Sequence, residues 1–375
     1  MRDNSAKQPA PGFLSCSHAA ATSISGRRGF IAGIAAARLG ALARYSVGRL
    51  TSVLAQTPIR AKRNLIDVHH HFVPPFYLAE NRDRIATASG GQINPAWLSW
   101  TPEGAIAAMD THGVATALLS LTFPGVWFGD PKAAAQTARR VNEYAADLAR
   151  SHPGRFGRFA VLPLPDTDGS LREIEYALGA LKADGIGLLT SYGDKWLGDA
   201  SYLPVFEELN RRKAVVFVHP TTPPCCRTLL PDVAPVVAEI PQDTTRAVTN
   251  LLFTGTLARF KDIRFIFTHA GGYVPMVLGR MHQYAPKNIA ETAPNGIDYE
   301  LQRLYYDIAG TAYRPAMAAL TSLVPTTHIL FGSDNPYVPL AATAEGMLHV
   351  GFSVADLQRI GRDNALALLP RLNTV

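Results

Sequence analysis

The sequence predicts an α/β fold, a single (β/α)8 (TIM) barrel, on two observations. From residue 64 onward, short apolar runs rich in β-branched and aromatic residues alternate with longer stretches of helical periodicity. Eight such units follow one another over roughly 310 residues with no Gly/Ser-rich linker between them, which fits one barrel. We therefore expect a leader over residues 1–55 and one catalytic barrel over residues 56–375.

Periodicity predicts eight strands and the helices that follow them. The strands are expected at residues 65–69, 114–120, 157–162, 185–190, 214–219, 263–269, 304–308 and 328–332. The helices are expected near residues 102–112, 131–151, 169–183, 201–212, 243–260, 273–284, 312–323, 341–349 and 354–369. Long connections at 72–100 and 220–242 follow strands 1 and 5 at the end where barrels build active sites, and we expect them to form lids. A doubly wound open sheet is the alternative fold, but its Gly-rich phosphate turn is missing after strand 1.

Composition and charge exclude several classes of protein. Of the 375 residues, 47% are hydrophobic and 18% are charged, as in a globular chain and unlike a disordered one or a polytopic membrane protein. The net charge is +6, but seven of the 36 bases and one of the 30 acids lie in residues 1–55, so the remaining 29 bases balance 29 acids. We therefore expect no basic face and no nucleic-acid partner.

The N-terminal segment resembles a twin-arginine export signal. Arg27 and Arg28 precede an Ala/Gly/Ile run, and residues 53–55 (Val-Leu-Ala) offer small side chains for cleavage. The apolar run, about 15 residues long, is too short to span a bilayer. We expect export to the periplasm or the medium. A disordered basic extension on a cytoplasmic protein is the alternative.

The three cysteines predict no disulfide framework. Cys16 lies in the leader, and Cys225 and Cys226 are adjacent. A bond between neighbouring cysteines is strained, and the CxxC spacing of soft-metal sites is absent. Stability is therefore expected to come from the core.

Ligand-type side chains stand at the carboxyl ends of four predicted strands. Strand 1 ends in three histidines, and because strand side chains alternate, His69 and His71 face one side while His70 faces the other. Three further strand ends carry a ligand-type residue: His219 after strand 5, His269 after strand 6 and Asp334 after strand 8. One histidine after a strand is more often a hydrogen-bonded core residue than a ligand, but four strand ends that agree favour a metal site.

Three neutral imidazoles and one carboxylate suit Zn²⁺, and also Mn²⁺, Fe²⁺ or Co²⁺. We expect Zn²⁺ first, with Mn²⁺ as the alternative. Barrels of this kind that hold two ions bridge them with a modified lysine at the end of strand 4. Here that strand ends in Leu-Thr-Ser-Tyr, and Lys195 lies further on. We therefore expect one divalent cation.

Stretches spread from residue 65 to about residue 369 resemble the amidohydrolase superfamily. They are IDVHHHFVPPFY, MDTHGVATALLSLT, RFGRFAVLPLPD, AVVFVHP, TTRAVTNLLFTGTLARFKDIRFIFTHAGG and HILFGSDNPY. Within the superfamily, the chain is similar to the amidohydrolase-related branch that includes the aminocarboxymuconate-semialdehyde, γ-resorcylate and 6-methylsalicylate decarboxylases, most closely the last. The set is highly specific for the branch and moderately specific for one substrate.

The resemblance implies a role for each residue at the strand ends. His69, His71 and His219 match the imidazole ligands of the metal, and Asp334 matches the carboxylate ligand. His269, which opens the HAGG stretch, matches the catalytic histidine beside the metal.

Five further residues are candidates with weaker support. Asn335 stands where many relatives carry an aromatic residue, which changes the expected pocket wall. Arg246 is a candidate cation for an aromatic acid or simply a surface arginine on a helix, and Tyr192 is a candidate contact by position alone. Asp67 and Asp307 are candidates for orienting the ligand imidazoles.

The resemblance implies non-oxidative decarboxylation of an ortho-hydroxybenzoate such as 6-methylsalicylate. A divalent cation that chelates the carboxylate and the ortho oxygen would hold the ring, while His269 or Asp334 protonates the ring carbon as CO₂ leaves. A metal-dependent hydrolase of a lactone, ester or amide is the first alternative. A non-enzymatic protein that binds an aromatic acid is the second, and it predicts missing ligands. We expect a small aromatic carboxylic acid as the substrate and a homodimer as the assembly.

Overall fold

The computed structural model describes residues 64–89, 93–223, 225–226, 229–230 and 232–374. The leader expected over residues 1–55 lies outside these residues, so the division into leader and barrel stays a prediction. Among the helices of the described residues, none combines the length and the apolar character needed to cross a bilayer.

Eight parallel strands form a barrel in chain order. The strands are β1 Leu65–His71, β2 Val114–Ser120, β3 Phe156–Val161, β4 Gly185–Leu189, β5 Val215–His219, β6 Arg264–Phe267, β7 Tyr305–Asp307 and β8 Ile329–Leu330. Backbone bonds close the ring between the last strand and the first, where Val68 N–H donates to Phe331 O at 3.0 Å and Asp334 N–H donates to His69 O at 2.8 Å. The predicted (β/α)8 barrel is confirmed. A short antiparallel pair, Ser191–Tyr192 with Lys195–Trp196, follows β4.

Helices surround the strands and fill the long connections. They are α1 Pro75–Ala88, α2 Pro95–Leu98, α3 Pro102–Thr111, α4 Pro131–Ser151, α5 Thr167–Ile174, α6 Leu203–Arg211, α7 Pro235–Phe253, α8 Thr256–Arg259, α9 Val274–Gln283, α10 Ile289–Thr292, α11 Ile297–Gln302, α12 Arg314–Leu323, α13 Leu340–Gly346, α14 Val354–Gln358 and α15 Asn364–Leu368. A single turn of π-helix over Glu175–Ala180 extends α5. Proline in the first turn is frequent, as at Pro131, where the preceding Asp130 side chain accepts from two backbone N–H groups.

The helix expected from residue 243 begins earlier, at Pro235, and continues through Pro241. Sequence rules place a helix boundary at an internal proline, because its ring nitrogen cannot donate to the carbonyl four residues before it. Here that carbonyl, Val237 O, accepts from the Tyr273 hydroxyl at 3.2 Å instead. The long connection after β5 is therefore partly helical, and α1 and α2 likewise occupy the connection after β1.

The barrel interior is packed with apolar side chains below the site. Phe159 and Phe217, on strands that are not neighbours, stack with ring centroids 5.0 Å apart. Val68 belongs to the same buried cluster, although strict alternation would turn it away from the side that His69 faces. The register of β1 against β2 shifts between Asp67 and His70, and such a bulge changes which side chains face inward.

Cys225 and Cys226 are bonded to each other in the structure. A bond between adjacent residues closes no chain loop, so it links no two elements of the fold. The fold is therefore held by its core, and the pair stands alone as a local feature of the connection after β5.

We predict that Gly332→Ala destabilises the barrel at its closing seam. A Cβ at this position would lie 2.7 Å from Cβ of His69 and 3.0 Å from Cβ of Asp307, so two strands would have to move apart. The expected loss is about 1–3 kcal/mol, measurable as a lower melting temperature. Gly279→Ala on α9, where a Cβ meets no atom within 4 Å, is the control and should not lower it. Equal melting of both variants would contradict the prediction.

Candidate active site

Side chains from the strand ends meet at the carboxyl end of the barrel. Ligand-type atoms of His69, His219, His269 and Asp334 all lie within 4.8 Å of one another, which forms a site of three histidines and one aspartate. His71 adjoins this group, since its Nε2 lies 3.0 Å from Nε2 of His69 and 3.0 Å from Oδ1 of Asp334. Five residues from β1, β5, β6 and the end of β8 therefore share one centre.

Three of these imidazoles are fixed in the same tautomer. Each Nδ1 faces an oxygen that can only accept, so each Nδ1 carries a proton and each Nε2 is left to face a cation, either a second proton or a metal ion. The three bonds run from His69 to Asp307 Oδ2 at 2.9 Å, from His71 to Ser120 O at 3.2 Å and from His219 to Pro220 O at 2.8 Å. Such partners hold a metal-binding imidazole in its orientation.

The centre fits one divalent cation. The Nε2 atoms of His69 and His71 lie 3.0 Å apart, and Oδ1 of Asp334 lies 3.3 Å from the first and 3.0 Å from the second. Lone pairs and a carboxylate oxygen arranged in this way repel one another unless positive charge lies between them. Imidazole nitrogen and carboxylate oxygen suit Zn²⁺ and Mn²⁺ alike.

His269 is held differently from the other histidines. It begins a turn in which His269, Ala270 and Gly271 have φ angles of 54°, 57° and 74°. Its backbone N–H donates to Asp307 Oδ1 at 3.0 Å, but its buried Nδ1 has no hydrogen-bond partner, and its Nε2 lies 3.5 Å from Asp334 Oδ2. The ring is thus anchored through its backbone, and no hydrogen bond fixes its Nδ1.

Asp334 has a strained backbone conformation, and the buried side chain of Asp67 holds its loop in place. Its φ of 62° lies in the left-handed region that non-glycine residues rarely adopt, a kind of strain that concentrates at functional sites. The preceding Ser333 donates its backbone N–H to Asp67 Oδ1 at 2.9 Å, and His70 Nδ1 lies 2.9 Å from Asp67 Oδ2. Asp307 therefore orients a ligand-type imidazole, His69, while Asp67 holds the loop that carries Asp334.

Burial and the neighbouring charges shift the pKa values of the residues at the centre in opposite directions. Burial lowers the pKa of His69, but the carboxylates of Asp307 and Asp334 outweigh it and raise the pKa to about 10. Burial lowers the pKa of His71 and lowers that of His219 well below its ordinary value. Burial tends to raise the pKa of Asp334, yet the charge of His69 and hydrogen bonds from the imidazoles hold it well below its ordinary range. The centre thus favours positive charge between ionised carboxylates.

A cavity of about 960 Å³ opens onto the centre. His219, His269 and Asp334 form its polar floor. Both long connections contribute to its largely apolar walls, through Ile85, Ile93, Trp97, Val236, Val237 and Ile240. The carboxyl end of the barrel therefore combines a charged floor with an apolar enclosure.

Arg246, Tyr192 and Asn335 are not among the described residues that line this cavity. Arg246 lines a separate groove between α7 and Trp196 of the short strand pair that follows β4. The Tyr192 hydroxyl accepts from Leu189 N–H at 2.9 Å and is therefore turned toward the end of β4. The Asn335 amide lies 3.2 Å from Nε2 of His70, on the side of β1 away from the centre. Direct contact with a molecule in this cavity is therefore not supported for these three residues.

Sequence reasoning missed two residues of the cavity wall. Thr122 Oγ1 lies 3.1 Å from Nδ1 of His219, and the Tyr337 ring lies 5.4 Å from the His71 ring. Thr122 follows β2 by two residues and Tyr337 follows Asp334 by three. The signals that pointed to them were the position of Thr122 just after β2 and that of Tyr337 in the loop that carries Asp334.

Comparison with known proteins agrees with this geometry. The sequence model of the amidohydrolase family matches residues 66–371. This chain belongs to the amidohydrolase family. Decarboxylase yanB of Aspergillus niger is 37% identical over 325 residues, covering 82% of this chain and 87% of that protein. The 6-methylsalicylic acid decarboxylase acuB of Aspergillus aculeatus is 36% identical over 321 residues, covering 82% of this chain and 96% of that protein.

Two solved structures share the fold of this amidohydrolase. One, described as an amidohydrolase II, is 27% identical with a TM-score of 0.75 over 82% of this chain and 99% of its own. The other, a dihydroxybenzoic acid decarboxylase of Polaromonas sp. with bound manganese, is 23% identical with a TM-score of 0.72 over 83% of this chain and 98% of its own. Both curated relatives cited above are named decarboxylases, which confirms the predicted enzyme class, a carboxy-lyase.

We predict that Asp307→Asn weakens metal binding. The carboxylate accepts from the His69 ring through Oδ2 and from backbone N–H groups of His269 and Ala309 through Oδ1, and an amide cannot accept at both ends. The expected loss of affinity is about 10–100-fold, measured by competition with a chelator. Asp298→Asn, which removes an exposed carboxylate paired with a surface histidine, is the control. Unchanged affinity in Asp307→Asn would contradict the role assigned here.

Asp243 is a second buried carboxyl group, located between the ends of β4 and β5. Its Oδ2 accepts from the Thr190 hydroxyl and from Thr221 N–H at 2.8 Å, while its Oδ1 has no partner. Burial raises its pKa from 3.8 to about 6, because these bonds and the charge of Arg246 offset the cost of burial only in part. The carboxyl therefore stays protonated to a higher pH in the folded state than in the unfolded state.

A folded-state pKa above the unfolded one means that this group stabilises the fold at low pH and that the contribution is lost as pH rises through about 4 to 6. The loss above pH 6 is about 2–3 kcal/mol. The side chain of Asp243→Asn stays neutral at every pH. We predict that the free energy of unfolding of this variant rises relative to that of the unmodified chain as the pH increases from 4.5 to 8, as measured by urea denaturation. Asp262→Asn, at an exposed position, is the control. A stability difference that is the same at both pH values would contradict the prediction.

Proposed function

We propose that this amidohydrolase is a metal-dependent, non-oxidative decarboxylase of a hydroxybenzoic acid with a hydroxyl group ortho to the carboxylate, as in 6-methylsalicylate. The observation that carries the proposal is the meeting of four histidines and an aspartate at the floor of a largely apolar cavity. The described residues that line this cavity include no Lys or Arg, so a substrate carboxylate finds its positive partner at the floor. The relative named for 6-methylsalicylic acid supports this choice of substrate.

We assign the metal ligands to His69, His71, His219 and Asp334, and the catalytic histidine to His269. The Nδ1 tautomers of the first three support the assignment, since all three imidazoles offer a lone pair at Nε2. When bound, one divalent cation would hold the carboxylate and the ortho oxygen of the substrate and favour the charge that develops there. Zn²⁺ and Mn²⁺ are the candidate ions, and elemental analysis of the purified protein distinguishes them.

Proton delivery to the ring is the step that the side chains must perform. Loss of CO₂ without a proton would leave an unstabilised aryl carbanion, so the carbon that bears the carboxylate accepts a proton, the C–C bond breaks and the ring regains its aromatic electrons. His269 Nε2 and Asp334 Oδ2 lie 3.5 Å apart and both face the cavity. We assign the delivery of this proton to the pair of His269 and Asp334. The pair regains one proton from solvent after each turnover.

We predict that His269→Ala lowers the rate of CO₂ release by a factor of about 10²–10⁴ while the metal content stays unchanged. Asp334→Asn should lower the turnover by at least as much and should also lower the metal content, because it removes a charged ligand. The control is His282→Ala, which removes an exposed histidine on α9. Near-normal turnover in both site variants would show that the assignment is wrong.

The assay that tests the reaction compares two chemistries on metal-loaded protein. Release of CO₂ from 6-methylsalicylate or γ-resorcylate supports the decarboxylase, and its loss on treatment with a chelator supports the metal requirement. Ring opening of small lactones with no release of CO₂ would overturn the proposal in favour of a hydrolase, which uses the same kind of centre to activate water.

We also propose export through the leader and assembly as a homodimer. Paired arginines before an apolar run support export. An uncleaved N-terminus on protein isolated from the cytosol would contradict it. Light scattering of the purified protein tests the dimer, and a monomer mass at micromolar concentration would overturn it.

A further inference from the structure

The cavity is larger than a single substituted ring requires. Ligand pockets of about 300–1,000 Å³ enclose drug-sized molecules, and the cavity of about 960 Å³ lies at the upper end of this range. A monocyclic hydroxybenzoic acid with its polar groups at the floor fills only the part next to His219, His269 and Asp334. Most of the remaining volume lies along the walls above it.

The walls above the floor are mostly apolar and come from two segments of the chain. One is the connection after β1, with Ile85, Ile93 and Trp97, and the other is the first turns of α7, with Val236 and Ile240. Among the described lining residues, the acidic and basic side chains are confined to the floor. A ligand group that occupies this space is therefore uncharged and apolar.

Two exposed valines at the start of α7 mark the part of the cavity wall where an apolar ligand group would bury the most apolar surface. Val236 and Val237 are 69% and 64% exposed, although both line the cavity. Covering exposed apolar side chains with an apolar ligand is favourable, and each methylene that becomes buried strengthens binding. The path from the floor to these valines runs along the α7 side of the cavity.

We infer that the substrate carries an apolar chain several carbons long on its aromatic ring, and that this chain lies along the first turns of α7. The inference rests on the proposed function, because it takes the carboxylate and the ortho hydroxyl to the floor. It specifies the substrate class as alkyl-substituted hydroxybenzoic acids, in which 6-methylsalicylate carries the shortest alkyl group.

Two substrate series test the inference. Salicylates with methyl, propyl, pentyl and heptyl groups at position 6, or at position 4, are compared by kcat/KM for CO₂ release. We expect a rise of about two- to fourfold for each added methylene in at least one series, until the chain passes the wall. Values that stay flat or fall in both series overturn the inference. If the methyl compounds release no CO₂ at all, it is the proposed function that fails.

Binding without turnover separates these two failures further. In 3-alkyl-2-nitrophenols a nitro group replaces the carboxylate, so no CO₂ can leave, and their dissociation constants are measured by calorimetry. Tighter binding with chain length supports the apolar wall whether or not the protein is a decarboxylase. Affinity that does not depend on chain length overturns it.

A matched pair of variants tests the position of the chain. Val236→Asp places a charge on the second residue of α7, and Val354→Asp places one at another exposed valine, which begins α14 and does not line the cavity. We expect Val236→Asp to lower the ratio of kcat/KM for the heptyl over the methyl compound at least tenfold, and Val354→Asp to leave that ratio unchanged. An unchanged ratio in Val236→Asp would overturn the placement along α7.

Discussion

The carboxylate of Asp307 is the interaction on which the centre depends. It is fully buried at the end of β7, and it accepts from the His69 ring on β1 and from the backbone of His269 after β6. One side chain thereby fixes the tautomer of one imidazole and the position of another. A buried carboxylate is costly unless its oxygens are all paired, so this arrangement also forces the three strand ends to keep their spacing.

The strand ends supply the charged groups, and the connections supply the enclosure. His219 is tied to the carbonyl oxygen of the next residue, Pro220, and His71 to that of Ser120 at the end of the neighbouring strand β2, which makes their orientation a property of the barrel itself. The apolar walls come from segments that follow β1 and β5. Chemistry and substrate selection are therefore carried by separate parts of the chain, as in other barrels in which loops vary on a constant frame.

The sequence allowed the barrel and the convergent side chains to be predicted, because both follow from local rules. Apolar strands that alternate with helices have few ways to pack, and their carboxyl ends then meet at one rim, which places His219, His269 and Asp334 together. Asp307 could be nominated for the same reason, since it ends a strand.

Other features depend on contacts that the local sequence does not reveal. The bulge in β1 arises from register against β2, and α7 passes through Pro241 because a distant hydroxyl, that of Tyr273, satisfies Val237 O. Arg246 was a reasonable candidate by position, but the rotation of α7 about its own axis turns it toward another groove. Such rotations are set by tertiary packing.

The seam between β8 and β1 has a consequence for the order in which the protein is made. Asp334 N–H donates to His69 O across this seam, so two residues proposed as ligands are neighbours in space while almost the whole barrel separates them along the chain. A nascent polypeptide on the ribosome carries His69 and His71 of β1 long before it acquires Asp334. The complete set of proposed ligands can therefore bind the ion only after synthesis of the chain is nearly complete.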